Sequence, residues 1–184
     1  MSEGHKPYRF HIGFRNFKTA LSATLCALLY LFFERNPTFA CIGAIFGTGN
    51  QMQDSWLNGG NRLIGTIIGG FIGMALFRLY ICFEPEGGIH WTLFIFLFIG
   101  VIILIEMCQM FRWVGGIQPG GVVLCIILFN TPVDTFVQYS INRMLDTAIG
   151  VVVALFINLL FPRERVMKWL DAIKKRFKKE ESTK

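Results

Sequence analysis

The sequence predicts an all-α integral membrane protein: six transmembrane helices arranged as two inverted three-helix repeats, plus a short basic amphipathic C-terminal helix. Three observations predict it. Of the 184 residues 53% are hydrophobic and only 16% charged, and the mean hydropathy is +0.51, outside the usual balance of a soluble domain. From Arg35 to Arg143 single charges interrupt long apolar runs, while both ends are crowded with Lys and Arg. A bilayer imposes that spacing, because a charge at its centre costs roughly 2.5 to 3.5 kcal/mol even on lenient insertion scales. The third observation is an internal repeat, described below.

In chain order, residues 1–16 are polar and basic and read as a cytoplasmic segment. No cleavage-site pattern follows the first apolar run, so the first span is expected to be retained. That span covers residues 17–33 and is closed by Glu34, Arg35, Asn36 and Pro37. The second, 37–48, is short and interrupted by Gly43 and Gly47, and a polar hinge is expected over 49–61. The third span, 62–83, ends at Glu84, Pro85, Glu86, Gly87 and Gly88; the fourth covers 91–108 and is followed by a turn over 109–118. The fifth, 119–129, is again too short for an ordinary span of about 20 residues, and the sixth, 143–161, is closed by Pro162. The membrane domain is thus residues 17–162, with repeat one at about 17–83, repeat two at about 91–162, and a cytoplasmic basic tail at 163–184.

Charge sets the expected orientation. Lys6, Arg9, Arg15 and Lys18 lie before or at the very start of the first span, and nine further Lys and Arg lie from Arg163 onward, whereas the opposite-side turns hold Glu34, Glu84, Glu86 and Asp134. The positive-inside rule then places both termini in the cytoplasm of a cell whose inner membrane the protein crosses. Val166, Trp169, Leu170, Ile173 and Phe177 recur at helical spacing against Lys and Arg, as in an interfacial helix meeting anionic lipid.

Asn61-Arg62-Leu63-Ile64-Gly65-Thr66-Ile67-Ile68-Gly69 aligns with Asn142-Arg143-Met144-Leu145-Asp146-Thr147-Ala148-Ile149-Gly150, at an offset of 81 residues. Pro37 meets Pro119 at almost the same offset. Two halves of three spans each must insert with opposite orientation, the plan of many transporters, where broken segments in matching positions point to the substrate site. An interrupted helix exposes backbone groups at membrane depth, tolerable where they line a cavity; packing of the short spans behind the others is the competing reading.

Candidate residues follow from the repeat. Arg62, Thr66, Gly65, Gly69 and Gly73 share a face of the third span, and Arg143, Asp146, Thr147 and Gly150 repeat it on the sixth. The glycines let another helix approach closely. Each half brings an arginine, whose planar fork of donors suits a carboxylate, and a threonine; interfacial snorkelling is the alternative for each arginine. Gln51, Gln53, Asn58, Asn61, Gln109 and Gln118 cluster in the two turns assigned to the cytoplasmic side and are expected to line a vestibule there, or else to be solvated loop residues. Glu106 and Asp146 are candidates for proton coupling, although Glu106 also has the option of reaching the interface, and Asp146 is placed to pair with Arg143.

Cys26, Cys41, Cys82, Cys108 and Cys125 make no ligand spacing with His5, His11 or His90, so they read as small hydrophobes and no metal or other cofactor is expected. No nucleophile and base or phosphate loop can be assembled, which argues against an enzyme. The net charge of +6 resides at the membrane-flanking ends, which argues against nucleic acid as a partner.

The opening Ile12-Gly-Phe-Arg-Asn-Phe-Lys-Thr-Ala-Leu resembles the arginine-x-x-lysine-threonine-alanine start of the bacterial aromatic acid exporter and fusaric acid resistance family. Residues 51–73 and 142–162 are similar to its later glycine-threonine-x-x-glycine and aspartate-threonine passages. Two departures stand out: Gln51-Met52-Gln53 replaces a glutamine-proline-threonine, and the tail after residue 162 is expected to be too short for the cytoplasmic domain many members attach. The resemblance implies an exporter of small organic anions, aromatic carboxylates above all, and a homodimer or higher homo-oligomer, since longer relatives often carry two six-span units. Two rivals are an organic-anion channel, since plant malate channels look distantly similar, and a non-transporting membrane scaffold.

Overall fold

The computed structural model describes residues 13–162; the amphipathic tail expected at 163–184 and the first twelve residues lie outside that range. The described chain is all-helical, with six α-helices and no strand: α1 (Phe14–Leu31), α2 (Thr38–Gly47), α3 (Met52–Phe83), α4 (Trp91–Met110), α5 (Ile117–Asn130) and α6 (Phe136–Leu160). Two single 3-10 turns, Val114–Gly116 and Val133–Thr135, lead into α5 and α6.

The polar hinge expected over 49–61 is mostly helix. Gln51 accepts from the third backbone N–H of α3 while the Asp54 carboxylate accepts from the Gln51 N–H, at 3.1 Å. This reciprocal cap satisfies the donors that every helix start leaves open, so α3 begins at Met52. Its 32 residues extend about 48 Å at 1.5 Å per residue. Helix α6 also starts earlier than expected, at Phe136 rather than Arg143.

Among the described residues three helices are long and apolar enough to cross a membrane: α3, α4 and α6 with its preceding 3-10 turn. The chain is a multi-pass membrane protein on that count. Helix α2, at 10 residues, and α5, at 14, reach about 15 and 21 Å, short of a hydrocarbon core of about 30 Å. The outer surface is strongly apolar, with Phe98 68% and Trp91 88% exposed, the inverse of what water as solvent would select.

Packing does not follow the order of the repeat. One apolar cluster joins Leu76, Phe77 and Tyr80 of α3 to α4 and α5. The other joins Cys26 and Tyr30 of α1, Ala40 and Ala44 of α2, and Val153 and Ile157 of α6. Each sequence half therefore gives its long last helix to the other half's pair, and α3 and α6 meet in the middle.

Glycine makes these exchanges possible. Gly69 lies against the backbone of Gly120 in α5, and Gly150 against the carbonyl of Ala40 in α2, so close that a methyl group at either would overlap an oxygen. Gly65 and Gly73 continue the α3 contact toward Gly116 and Ile127. Contacts advance along both chains together (Gly65 on Gly116, Gly69 on Gly120, Gly73 on Ile127), so α3 and α5 run parallel. Gly43 on Thr147 and Gly47 on Ala154 give the same result for α2 and α6.

Candidate functional site

At the end of the bundle where α1 starts, the termini of α1, α2 and α5 and the body of α3 enclose a cavity of about 600 Å³, within the range of small-ligand sites. Its polar wall is Arg15, Asn58, Asn61, Arg62 and Gln118; its apolar wall includes Ile45, Phe46, Pro119 and Val122. Helical spacing explains the polar wall, since Asn58, Asn61 and Arg62 are three and four residues apart on α3.

Arg62 is the electrostatic centre. Its guanidinium lies 5.0 Å from the centroid of the Phe46 ring and the residue is 8% exposed. Its buried Nε has no hydrogen-bond partner, and the same holds for the hydroxyl of Thr66 one turn further along. A buried donor without a partner costs about 1–3 kcal/mol; of the two, Arg62 lines the cavity, whereas Thr66 is fully buried and does not. Among the described residues no carboxylate lines the cavity. Two guanidiniums, three amides and an aromatic wall together suit a small anion with an apolar body.

The other expected residues are dispersed. Gln118 lines this cavity, whereas Gln51 is exposed and spends its side chain on the α3 cap. Glu106 is exposed on α4 and is not among the residues lining the cavity. Arg143 and Asp146 sit near the opposite end of the bundle, where Asp146 is 1% exposed, accepts a hydrogen bond from the Tyr30 hydroxyl at 2.7 Å and pairs with Arg35 at 3.1 Å and Arg143 at 3.5 Å. Thr147 is buried beside them, its carbonyl facing Gly43. The two arginines of the repeat therefore occupy separate environments rather than one.

Reading charges as span boundaries missed a buried polar network. Lys18 is fully buried and donates to the Asn158 side-chain oxygen and to the carbonyls of Gly49 at 3.4 Å and Asn50 at 3.3 Å. The Asn158 amide donates to the Ser55 hydroxyl at 2.9 Å, which also accepts from the Gly49 N–H at 2.7 Å. The network ties α1 and α6 to the break between α2 and α3, next to the cavity. A signal existed in the sequence: Lys18, Ser22, Cys26 and Tyr30 are the buried residues of α1 and recur every fourth position, an inward stripe opposite Phe17, Leu28 and Leu31.

Lys18→Met should keep much of the stem's volume and leave three acceptors short of a donor. Unsatisfied buried polar groups at about 1–3 kcal/mol each predict a loss of at least about 2 kcal/mol, read as a lowered melting temperature in detergent. An unchanged melting temperature would show that the network carries no stability.

Residues 10–161 match the family model described as aromatic acid exporter family member 1. A UPF0421 protein of Halalkalibacterium halodurans is 28% identical over 149 residues, covering 81% of this chain and 39% of the relative. The chain thus spans about two fifths of that relative's length. No solved structure matches.

Proposed function

The chain belongs to the aromatic acid exporter family, and from that premise we propose that it is a membrane transporter that exports small organic anions, aromatic carboxylates in particular. The observation that carries the reading is Arg62: a buried guanidinium with an unpartnered Nε, facing a cavity walled by Phe46 and by the amides of Asn58, Asn61 and Gln118. A carboxylate would take the fork of Arg62, with Arg15 drawing anions to the mouth. The ring would lie on Phe46, Ile45 and Val122.

We read the six helices as six crossings in two inverted repeats. The swapped and parallel pairings, α5 on α3 and α2 on α6, support this, as does the Asn-Arg-Thr-Gly match at the offset of 81 residues. The short α2 and α5 would be the broken elements that open backbone to a pathway. The basic ends support cytoplasmic termini in a bacterial inner membrane, the tail resting on anionic lipid, and the cavity would then face the cytoplasm, as export requires. A homodimer or higher homo-oligomer belongs to this proposal on the family resemblance alone.

A channel is the second reading, favoured because the described residues that line the cavity include no carboxylate that could couple flux to protons. Uptake of labelled benzoate, cyclohexanecarboxylate and uncharged benzamide into liposomes holding the purified protein tests both. Saturable flux of benzoate, weaker flux of the non-aromatic acid and none of the amide is the expected result. Flux that follows voltage and ignores a proton gradient would establish the channel, and no flux of either acid would overturn both in favour of a scaffold.

A further inference from the structure

The repeat gives Arg62 a counterpart whose surroundings extend the transport reading, on which this inference rests. Both arginines lie over a phenylalanine of α2: Arg62 over Phe46, and Arg143 at 3.7 Å from the Phe39 centroid, with Tyr139 at 4.7 Å. Phe39 and Phe46 are seven residues apart, hence on one face of α2 and separated by about 10 Å along its axis. Each arginine also has a buried Nε with no hydrogen-bond partner.

What differs is the residue three positions later. In α3 it is Gly65, pressed onto Gly116 and Pro119; in α6 it is Asp146. Two guanidiniums, Arg35 and Arg143, share that one carboxylate, which leaves a positive charge uncompensated. Asp146 meets Arg143 through a single Nη2 at 3.5 Å, because a carboxylate tethered three residues along the same helix does not lie beside both Nε and Nη2. An untethered carboxylate can take both.

We propose that Arg35, Arg143, Phe39 and Tyr139 form a second anion station in series with the cavity, selective for organic carboxylates, and that Asp146 is its built-in occupant. Asp146 closes the station until a substrate carboxylate displaces it. The Tyr30 hydroxyl holds the plug in place, and Arg35, on the partly exposed link between α1 and α2, is the residue an anion meets from the far side. The first station needs no plug because glycine stands at the matching position. One open and one closed station at opposite ends is the arrangement that alternating access requires.

Benzoate titration calorimetry on the protein in lipid nanodiscs tests this. Wild type should bind one benzoate per chain, at the cavity, and Arg62→Gln should remove it. Asp146→Asn should bind two, the second surviving Arg62→Gln and disappearing with Arg143→Gln. A single site in a folded Asp146→Asn protein, or a second site that ignores Arg143→Gln, overturns the proposal. Should Asp146→Asn fail to fold, Tyr30→Phe decides: a second, weaker site that Arg143→Gln removes supports the plug, and one site alone overturns it. If Arg62→Gln binds like wild type, the cavity reading fails by itself, and the Asp146 comparison stands regardless.

Discussion

Replacing Arg62 by Gln is expected to lower saturable benzoate flux at least about ten-fold. A hydrogen bond to a charged group contributes about 1.5–3 kcal/mol, and each 1.4 kcal/mol is ten-fold in an equilibrium constant. Arg62 supplies the largest such term at the cavity, because it is 8% exposed and its Nε has no competing acceptor. Arg62→Lys should recover part of the flux, since it keeps the charge and loses the planar fork and its stacking on Phe46. Gln51→Ala is the contrast: the residue caps α3 outside the cavity, so its loss should lower the melting temperature by the roughly 1 kcal/mol of a cap and leave flux within about two-fold. Uptake at equal incorporated protein measures all three. Equal flux in wild type and Arg62→Gln would move the anion contact away from this cavity.

How much of this was legible in the sequence depends on which property each residue expresses. The helix count and the short second and fifth elements were legible because apolar runs and Gly/Pro breaks are one-dimensional signals. Arg62, Asn58, Asn61 and Gln118 fell on the cavity, the first through the repeat and the others through their place in the two turns read as one vestibule, whereas Gln51, Gln53 and Gln109 of the same turns do not line it. The exchange of α3 and α6 was not legible, because a repeat shows which segments are alike and says nothing of which segments touch. Lys18 and Asn158 were hidden for a different reason: hydropathy treats a lysine near a span's start as a boundary, whereas burial against carbonyls and an amide makes it part of the interior. Asp146 was expected to pair with Arg143, but its stronger partners, Tyr30 and Arg35, come from the other half of the chain and become neighbours only through the exchange.

The exchange itself makes the second large prediction. Gly69→Val and Gly150→Val should each cost at least about 3 kcal/mol and leave little monodisperse protein after extraction. Inserting atoms into a packed interior costs about 1–3 kcal/mol where side chains can move aside. Here the obstacles are backbone: the Gly120 carbonyl for Gly69, and the Ala40 carbonyl and Ala44 N–H for Gly150. The helices would have to separate, losing contact along α3 with α5 or along α6 with α2. Gly121 provides the control, for its nearest neighbour is a Leu104 methyl at 3.8 Å; Gly121→Ala should be neutral or slightly stabilising, since alanine is favoured over glycine within a helix by about 1 kcal/mol. Thermal melting in detergent separates the cases. Because Gly69 and Gly150 occupy the same position in the two repeats, comparable losses would mean that both exchanged contacts hold the bundle together. A tolerated Gly150→Val would instead mean that α2 can ride away from α6, and with it Phe39 from Arg143, so that the α2–α6 contact is the one free to open during transport.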